Sequence, residues 1–200
     1  MKKLLIITTV ATSLFATSAF AKTEGNYAGL SWIHAKQTQK ETIDVLGTSV
    51  TAKIKEKGDT GVSVNYQYAL NFNNVFVAPG VFFDKLQTNA NFEGSIESRY
   101  GAKLSVGYDL NDKLAVYATN GLANNRYEYD SSYVDEEESN YRKTNELSYF
   151  WGVGASYEVA KNVSLNVEYT HQKSHLRGSP DATKSDATLE LLKVGVAYNF

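Results

Sequence analysis

The stretch 192–200, LKVGVAYNF, decides the fold. Leu192, Val194, Val196, Tyr198 and Phe200 alternate with Lys193, Gly195, Ala197 and Asn199, so the segment is a strand with one apolar face running to the last residue. A frayed, polar terminus is the commoner pattern in water. Here the apolar face continues to its aromatic end.

The same alternation recurs upstream. In GVSVNYQYAL, residues 61–70, Val62, Val64, Tyr66, Tyr68 and Leu70 share one face. In RYGAKLSVGYDL, 99–110, the apolar set is Tyr100, Ala102, Leu104, Val106, Tyr108 and Leu110. YFWGVGASYEV, 149–159, places Tyr149, Trp151, Val153, Ala155, Tyr157 and Val159 together, and VSLNVEYTH does the same for Val163, Leu165, Val167 and Tyr169. These are strands with one apolar and one polar face.

Aromatic residues sit at the ends of these faces. Tyr100 and Tyr108, like Tyr149 and Tyr157, bracket aliphatic residues at the same spacing. Eight residues of tilted strand rise about 20 Å, close to the ~25 Å apolar band of a transmembrane barrel between its aromatic girdles. Tyrosine suits that boundary because its ring is apolar while its hydroxyl seeks water. A soluble sandwich has no reason for aromatics at both edges of a buried face.

A repeat orders the strands. Tyr68-Ala69-Leu70, Tyr108-Asp109-Leu110 and Tyr157-Glu158-Val159 are each followed by a few turn residues and a new apolar strand, and Tyr198-Asn199-Phe200 is the same signal a fourth time. Eight antiparallel strands are expected, near 26–36, 60–70, 75–85, 99–110, 114–127, 147–159, 163–172 and 187–200. Long segments at 37–59, 86–98, 128–146 and 173–186 alternate with the short turns. VFVAPGVFF is apolar on both faces and contains Pro79, which argues against a central strand. LAVYATNGLA changes phase near Asn120, as a β-bulge would make it do.

The remaining composition excludes several classes. Residues 1–21, MKKLLIITTVATSLFATSAFA, have the basic start, apolar middle and small-x-small ending of a secretory signal cleaved after Ala21, which leaves a mature domain at 22–200. Without Lys2 and Lys3 the mature chain has 18 basic and 22 acidic residues, a net charge of −4 that offers nothing to nucleic acid. Cysteine is absent, which excludes disulfides and thiolate chemistry. No stretch after the signal is long and apolar enough for a membrane-spanning helix. No cofactor-binding or metal-binding motif stands out, and GVGAS is not a nucleotide fingerprint because no third glycine or helix follows.

Together, the signal, the eight alternating strands, three short turns, four long segments and the Tyr198-x-Phe200 ending resemble the small outer-membrane barrels of the opacity-protein and OmpA-transmembrane-domain type, a porin-like outer membrane beta-barrel domain. The resemblance covers the mature chain and implies an all-β, eight-stranded antiparallel up-and-down transmembrane β-barrel. It implies a bacterial outer-membrane location with periplasmic termini and extracellular long loops. Leu192, Val194, Val196, Tyr198 and Phe200 fit the signal that this family presents to the barrel-assembly machinery. The peptidoglycan-binding domain of OmpA-type proteins is not expected after Phe200. Outer-membrane lipid and lipopolysaccharide are the implied surroundings.

Two sets of residues then stand out. Arg99, Lys103, Asp109, Glu158, Glu168 and Lys193 fall on polar faces that would line the lumen, where a paired core is expected because charges at low dielectric are costly alone. The third long segment, with the end of the strand before it, carries Tyr127, Tyr129, Tyr133 and Tyr141 around the acidic run Asp135, Glu136, Glu137 and Glu138. That is a surface suited to a host surface protein, although a solvated loop has the same composition. The first long segment is its basic counterpart, with Lys36, Lys40, Lys53, Lys55 and Lys57 able to contact lipopolysaccharide phosphate.

The resemblance implies adhesion, host interaction or envelope integrity, without an enzyme. The competing readings are a narrow pore and a lipid A-modifying enzyme. For the latter, His34 with Ser131 would be the pair, since His171 and Ser174 are three apart and fall on opposite faces of a strand.

Overall fold

In the computed structural model, residues 24–45, 48–55, 58–87, 95–128, 144–176 and 184–200 are described. They form nine strands: β1 (Gly25–Val45), β2 (Thr48–Lys55), β3 (Asp59–Phe72), β4 (Val75–Gln87), β5 (Ser95–Asp109), β6 (Leu114–Glu128), β7 (Thr144–Ala160), β8 (Val163–Leu176) and β9 (Lys184–Asn199). All pairing is antiparallel. From β3 to β9 each strand pairs with the next, and β1 pairs with both β3 and β9, which closes an eight-stranded up-and-down barrel.

The ninth strand was not expected. The upper part of β1 pairs with β2 from Thr38↔Lys55 to Val45↔Thr48, so much of the segment read as a loop at 37–59 is a hairpin extending the sheet. Val50, Ala52 and Ile54 alternate with Thr51, Lys53 and Lys55 there, but the run is short and lacks the aromatic ends that mark the barrel strands. The other strands also run further toward the long segments than the alternation indicates. Their final turns have left the apolar belt, so nothing in hydropathy records them.

The alternation does set the faces. Ser31, Ile33 and Ala35 are buried while Leu30, Trp32 and His34 are exposed, and every other strand of the barrel repeats this parity. The outward set includes Val62, Val64, Val81, Phe83, Leu104, Val106, Val153, Val167, Val194 and Val196, all exposed. Tyr68, Tyr108, Tyr157 and Tyr198 lie on that face toward the short turns, and Trp32, Phe83, Tyr100, Tyr149 and Trp151 toward the long segments. A contiguous apolar surface of this extent is a lipid-facing one.

Local chemistry makes the short turns. Asn73 (φ 62°) joins β3 to β4 and Asn162 (φ 65°) joins β7 to β8, both in the left-handed region that asparagine tolerates. Between β5 and β6, Asn111 Oδ1 accepts from the backbone N–H of Lys113 and of Leu114, each at 2.9 Å.

Two expectations about irregularity change. Pro79 lies within β4, opposite Leu104 of β5, but the β3–β4 ladder passes from Gln67↔Gly80 to Leu70↔Val77 with no pairs at Ala78 and Pro79. The missing N–H therefore falls in a gap of the ladder. No bulge occurs at Asn120: it pairs in unbroken register with Leu104 and Trp151 and faces outward, with Thr119 and Gly121 facing inward. The apparent phase change arises because Tyr117 fills the lumen and Asn120 occupies the belt. Register shifts occur instead at Ile96/Ser98 and Glu158/Ala160.

Candidate functional site

The inward faces fill the lumen in layers. Nearest the long segments is an apolar cluster of Ile33, Ala35, Leu86, Ile96, Leu189 and Leu191, drawn from β1, β4, β5 and β9. The facing side is polar. Gln172 Nε2 donates to Asn125 Oδ1 at 3.0 Å, Asn125 Nδ2 donates to Ser148 Oγ at 3.1 Å, and the Ser148 and Ser174 hydroxyls are 2.8 Å apart.

Arg99 links these groups to the next layer. Its side chain is 0% exposed, its Nη1 donates to Gln172 Oε1 at 3.0 Å, and its Nε lies 2.8 Å from Asp84 Oδ2. The guanidinium carbon is 5.1 Å from the ring centroids of both Phe82 and Phe150, which themselves meet edge to face at 5.4 Å. The cation is thus held by one carboxylate and two aromatic faces.

Below it, Lys193 Nζ donates to both oxygens of Asp84 at 2.9 Å and to Ser63 Oγ at 3.4 Å. Lys103 Nζ pairs with Glu168 Oε2 at 3.0 Å. Under this layer a cavity of about 130 Å³ is lined by Asn65, Lys103, Asp109, Tyr117, Glu158 and Glu168, and by the turn residues Asn111, Lys113 and Asn162. It belongs to the short-turn end.

Of the six residues read as lumen charges, Arg99, Lys103, Glu168 and Lys193 lie in these ion pairs, while Asp109 and Glu158 line the cavity nearer the turns. Sequence reasoning missed Asp84, the shared anion, and the Phe82–Phe150 pair. The signal was present: Phe76, Ala78, Gly80, Phe82 and Asp84 share the inward parity of β4. A stretch apolar on both sides hid it.

At the long-segment rim the outward face carries two aromatic-histidine pairs. Trp32 and His34 stack with centroids 6.0 Å apart, and Trp151 lies 5.5 Å from His171. Glu190 Oε1 accepts from Tyr169 Oη at 2.9 Å and lies 3.8 Å from His171 Nδ1. His171 is on the outward parity of β8, whereas Ser174 is buried against Ser148, so the two do not form a dyad. Ser131, Tyr129, Tyr133, Asp135, Glu136, Glu137, Glu138 and Tyr141 lie outside the described residues. The backbone of Tyr127 is in β6, opposite Ile96 and Thr144. On β9, Leu192, Val194, Val196 and Tyr198 face outward, Phe200 just beyond it is exposed too, and the rings of Tyr198 and Phe200 stack at 6.4 Å.

Against known proteins, the family model described as "Outer membrane protein beta-barrel domain" matches residues 7–200. No curated protein matches. Among solved structures, neisserial surface protein A (NspA) is similar at a TM-score of 0.53 and 18% identity, covering 88% of this chain and 97% of that one. Ail, the attachment invasion locus protein of Yersinia pestis, is similar at 0.53 and 16% identity, covering 89% and 100%. At such identities the likeness is one of fold.

Proposed function

Because the chain belongs to the outer membrane protein beta-barrel domain family, we propose that it is a non-conducting outer-membrane barrel whose long segments are displayed outside the cell for adhesion to a host surface protein. The termini and short turns face the periplasm, and Leu192, Val194, Val196, Tyr198 and Phe200 are the face read by the assembly machinery.

The filled lumen carries this reading. A pore needs a continuous water path, whereas here the cavity at the short-turn end meets the Lys103–Glu168 and Lys193–Asp84 pairs, then the Phe82–Arg99–Phe150 stack, then the apolar cluster. Paired charges at low dielectric lock such a core rather than conduct through it. Recognition is then left to the segments beyond the rim. Tyr129, Tyr133 and Tyr141 supply aromatic anchors there, and Asp135 to Glu138 supply charge that steers encounter.

Two measurements test the proposal. In planar bilayers the refolded protein should give no steady conductance; open-channel steps would refute the closed barrel. Replacing Tyr129, Tyr133 and Tyr141 by Ala should weaken cell binding by at least about two orders of magnitude, at ~1–2 kcal/mol per anchor, with the folded barrel retained. Unchanged binding would refute the adhesin role and leave a structural role in the envelope.

A further inference from the structure

The cavity at the short-turn end is lined differently from the layers above it. Its inner boundary is the ion-pair layer, where Lys103 is taken by Glu168 and Lys193 by Asp84. Asp109 and Glu158, nearer the turns, also have partners of their own, and Lys113 is exposed. A charged guest would find no counter-ion ready to receive it, and charge moved from water into such a site is costly unless paired. The cavity therefore favours a neutral guest.

What it offers that guest is a set of amides. Asn65, Gln67 and Asn71 of β3 and Asn166 of β8 line the cavity and stand outside the ion-pair layer. Asn71 Oδ1 is buried and has no hydrogen-bond partner among the described residues. Buried polar atoms are nearly always satisfied, so an unmet acceptor marks a place for a donor. Each of these amides carries a carbonyl acceptor and an NH2 donor side by side. Such pairs match adjacent hydroxyls, each of which both donates and accepts.

Two aromatic rings complete the lining. Phe76 lies across Gly107 and Tyr117 across Gly154, at positions where a Cβ would overlap the ring. The glycines let both rings rest against the barrel wall, half-buried, with surface left to the cavity. An aromatic face beside amides is complementary to a sugar, whose C–H groups gather on one face of its ring while its hydroxyls project around the edge. The size agrees, since about 130 Å³ has room for on the order of ten waters, comparable to a single hexose.

We propose that this cavity is a blind binding site for a neutral saccharide unit, free or at the end of a longer glycan, which enters from the short-turn side and is stopped by the ion-pair layer. The inference rests on the closed lumen of the reading above and is independent of adhesion.

The test uses the full barrel in phosphatidylcholine nanodiscs and saturation-transfer NMR of glucose, N-acetylglucosamine, glucosamine and glucuronate. The two neutral sugars should bind at least about tenfold tighter than the two charged ones. Tighter binding of N-acetylglucosamine than of glucose would assign the end of an amino-sugar glycan, and the reverse a free hexose; either supports the site. Replacing Gln67 and Asn166 together by Ala should weaken the neutral sugars by about tenfold, while Asn120→Ala, on the outward face, should leave them unchanged. Equal binding of the charged sugars, or no transfer to any sugar, would overturn the proposal, and both measurements need only the unaltered protein. Undiminished binding to the double variant, verified as folded by circular dichroism, would place the sugar elsewhere and overturn it too. Swelling of vesicles in glucose would show a path through the lumen and overturn the blind site together with the closed barrel, whereas a lack of sugar binding alone would leave the closed barrel standing.

Discussion

Lys193 and Asp84 meet across the lumen from strands that are not neighbours, β9 and β4, with Nζ 2.9 Å from each carboxylate oxygen. Arg99 approaches the same carboxylate from β5 at 2.8 Å, so one buried anion serves two buried cations. Removing it takes from both cations the carboxylate they are directly paired with. Asp84→Ala should cost about 3–5 kcal/mol, read from urea unfolding of the protein in vesicles. Lys85→Ala breaks a half-exposed pair with Glu97 and should cost under about 1 kcal/mol. A similar midpoint for the two variants would show that the lumen network is not what holds the barrel.

Gly121 is a packing constraint on the same network. A Cβ there would lie 2.2 Å from the Ala102 carbonyl oxygen and 2.8 Å from the Phe150 ring, which is itself held against Phe82 and Arg99. Gly121→Ala should therefore destabilise by about 1–3 kcal/mol through overpacking. An unshifted urea midpoint would mean that the aromatic pair can move freely.

Pro79 is accommodated by a gap in the β3–β4 ladder, whereas Val81 pairs with Tyr66 on one side and Ala102 on the other. Pro79→Ala should leave the yield of folded barrel unchanged, while Val81→Pro should lower it strongly, since it removes a donor within a continuous ladder. Equal yields would argue against the register described.

Closure by β1 and β9 leaves the barrel proper without a free edge. Unheated protein in dodecyl sulfate should therefore migrate differently from boiled protein, because the closed ladder resists the detergent until it melts. Identical mobilities would exclude a closed barrel.

Phe200 is exposed just beyond β9 and stacks on Tyr198. As part of the proposed assembly signal, its deletion should reduce the heat-modifiable form in cells more than deletion of residues 134–138. Equal losses would place the signal elsewhere.

Side-chain parity is a local property. Because successive residues of a strand point to opposite faces, the sequence by itself determined the lipid-facing set, from Tyr198 and Phe200 back to Val62 and Val64, and the short turns determined which strands are neighbours. It also placed Arg99, Lys103, Glu168 and Lys193 on inward faces. It did not determine who meets whom inside. Lys193 reaches Asp84 and Lys103 reaches Glu168 only because closure and stagger bring distant strands to one height, and those distances depend on all eight strands at once. The β1–β2 hairpin was overlooked for another reason: Val50, Ala52 and Ile54 do alternate with Thr51, Lys53 and Lys55, but over too short a run, and without the aromatic ends, to stand out as a strand. Tertiary structure alone decided that the lumen is filled, because filling depends on which volumes and charges coincide across the barrel.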